Sequence, residues 1–347
     1  MCIRDSILDA YARGVNAFIS SHRASLPVEF TILRINPAPW QPADTIQWSK
    51  MMGWNLGGNW ETEVIRAQLV AKLGPERAAL LETGYDPKHP LIIPPGVAYA
   101  GANLGMLEEY AALKQLSGFG LLGGSNNWVV DGSMTTTGAP IVCNDPHLGQ
   151  AAPSIWFECH LTAGDIDVVG ASFPGSPGVI IGHNQHVAWG VTNAISDVED
   201  LYIEKFNPQN PHQYEFKGHW EEAQVYHEEI KVKGRKESVI EEVRVTRHGP
   251  ILTTLKGSTA AHKGDQAEDL PLALRWTGLE HNDIISAIEK MALSTNIDEF
   301  REALRHWDVP AQNFVFADTK GDIGYVMAGA IPTRMQGNAL LPMPGWT

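Results

Sequence analysis

Apolar residues recur at intervals of three and four in the first part of the chain, and at intervals of two after about residue 125. Ile7, Leu8, Tyr11, Val15, Phe18 and Ile19 share one face at helical spacing, which predicts a helix over 7–19. "PAPWQPADTIQWSKMM" reads as a proline-rich turn in which Asp44 caps a second helix. "GGNWETEVIRAQLVAKLGP" predicts a third. Asn59 stands at its N-cap, Glu61 and Glu63 lie in its first turn, and Gly74-Pro75 stops it. Then the rhythm breaks. "DPKHPLIIPPGVAYAG" is turn punctuation, "NLGMLEEYAALKQL" is a short amphipathic helix, and "SGFGLLGG" is glycine-rich and uncharged. This stretch predicts a linker over 96–124.

Beyond it, alternation takes over. "NNWVV", the turn "DGS" and "PIVCN" predict a hairpin. "SIWFECHLT", "IDVVGASF", "VIIGHNQHVAWGVTN", "DLYIEKF", "SVIEEVRVTRHGPIL" and "NFVFADTKGDIGYVMAG" continue as strands. One helical insert, "ISAIEKMALSTNIDEFREALRHW", interrupts them. Runs of strands with segregated helices predict an α+β fold in layers, not a doubly wound sheet.

Composition narrows the function. The 347 residues are 44% hydrophobic, enough for a large core. The net charge of −14 opposes binding to a phosphate backbone, so nucleic acid is not an expected partner. No apolar run approaches the roughly 18 residues of a membrane span. The three cysteines, Cys2, Cys143 and Cys159, cannot all pair within one chain, and no CxxC spacing is present. "HNQH" has only a weak zinc-like spacing and lies between strands. "MCIRDS" (1–6) lacks a signal-peptide pattern and reads as a non-native leader. The abrupt ends predict a fragment.

Ser125 is the candidate nucleophile. It sits between the glycine-rich linker and the first strand, in "GGSNNWVV", and not in a Gly-x-Ser-x-Gly elbow. A serine hydroxyl needs a base, and a free α-amine with a pKa of roughly 7.7–8.0 is an adequate one. A chain cut before Ser125 would carry nucleophile and base on one residue. Gly124 places no side chain in the way of hydroxyl attack on its own carbonyl.

These motifs together resemble the penicillin acylase family, a branch of the N-terminal-nucleophile hydrolases that includes penicillin G acylase, cephalosporin acylases and acyl-homoserine-lactone acylases. The resemblance is carried by "GGSNNWVV", "PIVCNDPHLG", "GASFPGSPGVIIGHNQHVAWGVTNAISDVEDLYIEKF" and "ADTKGDIGYVMAGAIPTR". In the helical part it is carried by "LDAYARGVNAFI", "LPVEFTILRINPAPWQPADTI" and "GGNWETEVIRAQL". It implies a four-layer αββα fold with a helical small-subunit segment over 7–95 and the start of the large subunit over 125–347. It also implies self-cleavage between Gly124 and Ser125, and two chains that stay associated as a heterodimer. The expected activity is hydrolysis of a linear amide, a β-lactam side chain or an N-acyl homoserine lactone, through an acyl-enzyme on Ser125. A periplasmic or secreted location is implied too, with no organic cofactor.

The resemblance assigns site residues. Asn193 in "WGVTNA" supplies a backbone N–H to the oxyanion, His147 supports the terminal amine, and Asn126 takes part in the site. The second oxyanion donor, an asparagine side chain, has its counterpart beyond Thr347, so this stretch alone is expected to be inactive. Calcium is implied on "SDVEDLY". Its donors are Asp197, Asp200 and the carbonyl of Glu199, with Glu63 (Glu61 as rival) and the Pro332 carbonyl; a further Asp lies past the end. Read without the resemblance, the same acidic run is an exposed turn. Trp54, Trp60 and Trp189 are candidates for an apolar acyl pocket, or for core.

Two other readings compete. One is a non-catalytic relative of the same fold. The other is an ordinary serine hydrolase using Ser125, His147 and Asp145, against which stands the expectation that Asp145 and His147, two apart on a turn, face different ways.

Overall fold

The computed structural model describes residues 3–81, 105–117, 124–149, 152–252, 270–334 and 340–347. The fold is α+β. The chain forms two compact units, and each takes residues from both sides of Ser125. The first comprises Met1–Gly57, Gly120–Ser196 and His281–Ala330. The second comprises Gly58–Phe119, Asp197–Glu280 and Ile331–Thr347. Among the described residues no helix is long and apolar enough to cross a membrane.

In the first unit, six antiparallel strands form one sheet. In spatial order they are Ile323–Ala328, Gln312–Asp318, Val187–Asn193, Ile181–His183, Ile166–Ser172 and Phe157–Ala163. Alternation decides what each face meets. Phe314 and Phe316 share one face of their strand and pack, with Val187, Trp189 and Val191, against the helices Ile284–Leu293 and Ile297–Ala303. The helical insert read from the sequence is thus two helices. Asn296 caps the second by accepting from Glu299 N at 3.0 Å.

The hairpin Asn126–Val130 and Ile141–Asp145 pairs as expected, with Asn126 opposite Asp145. Its turn is a short 3-10 segment, closed by Asp131 accepting from Ser133 N at 2.8 Å. Asparagines fasten it to the sheet. Asn144 Nδ2 donates to Val191 O at 2.8 Å, and Val191 N donates back to Asn144 Oδ1 at 2.9 Å. Asn127 Nδ2 donates to Asn313 O at 3.0 Å.

The N-terminal helix runs Ile3–Ser21, so the segment read as a leader continues into helix. Its Tyr11 hydroxyl accepts from Gly175 N at 2.7 Å. The helix expected after Asp44 begins earlier, at Pro42, and runs to Gly57, so Asp44 works from inside its first turn, reaching back to accept from Gln41 N at 2.6 Å. Of the 96–124 linker, only the helix Gly105–Ser117 and Gly124 are among the described residues. In the second unit that helix sets Lys114 against Glu61 at 2.7 Å and Tyr110 against Trp60. Strands over 210–230, which the sequence reading did not separate, form Asn210–Phe216, His219–Glu222 and Gln224–Ile230 there.

Gly190 is where the hairpin approaches most closely: a Cβ there would lie 2.8 Å from Asn144 Cβ. Gly190→Ala is therefore expected to destabilise the full chain by about 1–3 kcal/mol, as over-packing does. A urea titration followed by tryptophan fluorescence reads this as a lower midpoint. An unchanged midpoint would mean the clamp is not as tight as drawn.

Candidate active site

Ser125 stands directly before the hairpin's first strand, half-buried, and its Oγ accepts from the main-chain N–H of His147 at 3.1 Å. Antiparallel pairing produces this meeting. The Asn126–Asp145 register brings the start of one strand beside the end of the other, and the Pro146 turn then folds His147 back over Ser125. The imidazole takes no part in that contact. His147 Nε2 pairs with Asp145 Oδ2 at 2.8 Å on the surface. The expectation that these two side chains face different ways is thus corrected, because Asp145 closes its strand and the proline turn brings the ring around to it. The triad reading still loses its geometry. The hydroxyl is held by a peptide N–H, and among the described residues no ring nitrogen bonds it.

Asn193 ends the central strand. Ala194 N donates to Ala311 O at 3.1 Å, which makes Asn193 and Gln312 a non-hydrogen-bonded antiparallel pair. The Asn193 N–H then points away from the Gln312 strand, to the side on which Val191 N–H, two residues earlier, meets Asn144. The Asn193 side chain is fixed separately, donating to Leu56 O at 2.6 Å and accepting from Ile195 N at 3.2 Å. Asn126 is exposed at the strand start, and its carbonyl accepts from Asn144 Nδ2 at 3.1 Å.

Ser125 and Asn193 share an apolar cavity with Met52, Leu56, Phe173, Ile180, Ile284 and Ile288. Its tryptophans are Trp48, Trp156 and Trp307, not the three candidates read from the sequence. Trp189 is core, its ring tilted against Phe300 and its Nε1 donating to Ile180 O at 2.9 Å, and Trp60 is buried in the second unit. Trp54 does not line the cavity. Among the described residues, no charged side chain lines it.

The acidic cluster belongs to the second unit. Glu63 is 1% exposed, and its Oε2 accepts from Leu201 N at 3.1 Å. Burial, with Asp200 and Asp197 close by, pushes its carboxyl well above the usual range. Glu61 turns instead to Lys114. Glu199 caps the helix Trp60–Leu73, since its Oε2 accepts from Asn59 N at 3.0 Å and Trp60 N at 3.3 Å. Asn59, expected to cap with its side chain, donates from Nδ2 to Asp197 Oδ1 at 2.6 Å. Burial raises the Glu199 carboxyl to about 7 despite those two N–H donors. Arg334, which the sequence reading passed over, shares its Nε–H between both oxygens of Asp200 at 2.9 and 3.0 Å and reaches Asp197 Oδ1 from a terminal nitrogen at 3.1 Å. Burial still outweighs that pairing and raises the Asp200 carboxyl. Pro332 lies two residues before Arg334 and is half-buried.

A divalent ion fits this cluster in chemistry. Three carboxylates face one guanidinium, the donors are hard oxygens, and Glu63 Oε1 is buried without a hydrogen-bond partner among the described residues. In geometry, no three acidic, histidine or cysteine side chains among the described residues converge as a metal-binding group.

The pattern of the family described as penicillin amidase matches residues 4–347. The chain belongs to the penicillin amidase family. It is 32% identical to "Penicillin acylase 2 proenzyme" of Pseudomonas sp. (strain SE83), over 98% of this chain and 43% of that protein. It is 30% identical to "Acyl-homoserine lactone acylase QuiP" of Pseudomonas aeruginosa, over 97% of this chain and 41% of that one. Among solved structures it is similar to the thermostable penicillin G acylase from Alcaligenes faecalis, with a TM-score of 0.50 and 26% identity over 58% of this chain and 35% of the other. That likeness agrees with an N-terminal-nucleophile hydrolase fold. The chain spans less than half the length of these curated relatives.

Because His147 meets Ser125 through its peptide N–H, His147→Ala is expected to lower any turnover of an amide at Ser125 of the full-length protein by less than about 10-fold. Removal of a triad histidine costs more than about 10⁴-fold. A loss of that size would restore the imidazole to the mechanism.

Proposed function

We propose that the full-length protein is an amide hydrolase that transfers an apolar acyl group from a linear amide to Ser125 and then to water. The observation that carries this reading is the position of Ser125: first residue before a strand, Oγ held by a peptide N–H, at an apolar cavity also lined by Asn193. The named relatives, a penicillin acylase and an acyl-homoserine lactone acylase, support the amide class.

Cleavage before Ser125 generates the base. A Cβ at Gly124 would meet nothing within 4 Å, so packing against neighbouring residues does not account for the glycine there, whereas an unhindered carbonyl does. After the cut, the α-amine takes the proton from Oγ as Oγ attacks the substrate carbonyl. The His147 N–H occupies one lone pair of Oγ and leaves the hydroxyl proton free to go to the amine. The tetrahedral oxyanion accepts from Asn193 N–H, with a second donor from outside this stretch. Collapse expels the leaving amine, which receives the proton, and leaves an ester on Ser125. Water, activated by the same amine, hydrolyses it. The cut chains stay together because the first unit ties residues from both sides of Ser125, through Tyr11 to Gly175 and Leu56 to Asn193.

A structural calcium ion belongs to the same proposal. Glu63, Asp197 and Asp200 would hold it, with the carbonyls of Glu199 and Pro332. The Glu199 carboxylate itself serves the helix N-terminus. The ion supplies positive charge to a buried cluster in which Arg334 offsets only part of the negative charge.

Two outcomes follow. Full-length protein should yield a fragment whose N-terminal sequencing begins Ser-Asn-Asn-Trp, and Ser125→Ala should remain one uncut chain. Normal cutting of Ser125→Ala, with protease contamination excluded, would end the self-processing reading. Calcium at a hundredfold excess over Kd should stabilise the full-length protein by about 2.7 kcal/mol. Asp200→Ala should remove that response. Thermal midpoints indifferent to calcium and to chelator would count against the ion.

A further inference from the structure

Gln312 breaks an apolar row. Along its strand, Gln312, Phe314 and Phe316 alternate onto one face, and the two phenylalanines are fully buried in the core against Ile288, Met291 and Phe300. A polar residue at the third such position is a defect for folding unless it has another use. Gln312 is 4% exposed, and its Nε2 is buried with no hydrogen-bond partner among the described residues. An unmatched buried donor costs about 1–3 kcal/mol.

The cavity supplies the use. Gln312 lines it together with Ser125 and Asn193. Asn193 is its direct cross-strand partner, in a non-hydrogen-bonded pair, so their side chains leave the same face with Cα atoms about 4.5 Å apart. The Gln312 carboxamide is therefore next to the position where the scissile carbonyl must sit. A second lining residue, Trp156, also keeps a buried Nε1–H without a partner among the described residues. The rest of the wall is apolar apart from small hydroxyls such as Ser49 and Ser176.

We propose that Gln312 is a specificity-determining residue that hydrogen-bonds an uncharged oxygen on the acyl chain, such as a keto or hydroxyl group, within a few bonds of the scissile carbonyl. This deepens the acyl-amide reading and rests on it. A carboxamide suits either oxygen, because rotation of its terminal torsion presents N–H or C=O. It does not suit a carboxylate, which would enter this wall without a cation to meet it. A plain acyl chain would leave the amide unmatched in the complex as well, so the site discriminates by what it leaves unpaired.

The test compares two amides with one leaving group, octanoyl and 3-oxooctanoyl. Binding is measured first, on full-length protein produced as two chains split before residue 125, with Ser125→Ala in the second chain, through the fluorescence of the cavity tryptophans. The 3-oxo amide should bind about 3–10-fold more tightly, the worth of one neutral hydrogen bond. Gln312→Met on the same background keeps the length and removes the amide, and should bring the ratio to about one. Gln312→Leu serves if the methionine variant folds poorly. The same ratio should appear in kcat/KM with unmutated Ser125 and collapse in the same way. Equal affinity of the two amides, a ratio that survives in both variants, or no binding of either amide overturns the proposal. Discrimination in binding without hydrolysis of either amide would instead reject the catalytic reading and leave the Gln312 assignment standing.

Discussion

Asn144 gives its amide to both main-chain groups of Val191, accepting at 2.9 Å and donating at 2.8 Å. A side chain thereby makes the two-point contact that a neighbouring strand would make. The central strand keeps Ile181–His183 as its neighbour only over Ala188 and Trp189, and Val191 lies beyond that pairing. Without Asn144, the polar groups of Val191 would have no strand partner on that side. With it, the hairpin is held at a fixed height on the sheet, and Ser125, one residue before the hairpin, is fixed with it. Gly190 permits the approach, since any Cβ would occupy the space of the Asn144 side chain.

Other features of the site depend on that fixed height. The Asn126–Asp145 register sets where the Pro146 turn begins, and so places the His147 N–H on Oγ. Asn193, two residues beyond Val191, directs its N–H to the same side as the clamped Val191 N–H. Thus one strand carries both the anchor of the nucleophile's hairpin and the candidate oxyanion donor, on a rigid frame of the kind precise sites use. Asn127 and Asn313 repeat the device: Asn127 reaches Asn313 O, and Asn313 Oδ1 accepts from the Tyr325 hydroxyl at 2.7 Å.

The acidic cluster follows a different rule, in which charge is buried and divided among partners. Glu199 neutralises a helix N-terminus, Arg334 pairs with Asp200, and Glu61 is drawn off by Lys114. Glu63 keeps one oxygen unmatched among the described residues. An acidic run that reads as a solvated turn is in fact mostly interior, because Glu199 and Asp200 sit in the strand Glu199–Ile203, paired to Leu272–Trp276.

Periodicity in the sequence was sufficient for the α+β class, the hairpin after Ser125 and the two helices that begin at Pro42 and Trp60, because local spacing dictates those elements. The motifs were sufficient for the family. The glycine-rich approach to a strand also singled out Ser125, and the family resemblance pointed to Asn193. It did not reveal that Asn144 is the clamp, that Trp48, Trp156 and Trp307 form the cavity instead of Trp54, Trp60 and Trp189, or that Gln312 faces it. Each of these depends on which residues from distant segments share one face of one sheet. Residues 48, 156 and 307 meet at one cavity through pairing and packing across more than two hundred positions, and spacing along a chain carries no record of that. The same limit hid Arg334 and the partition between Glu61 and Glu63. Neighbouring glutamates two apart on a helix point different ways, and only the packed partners decide which one is buried.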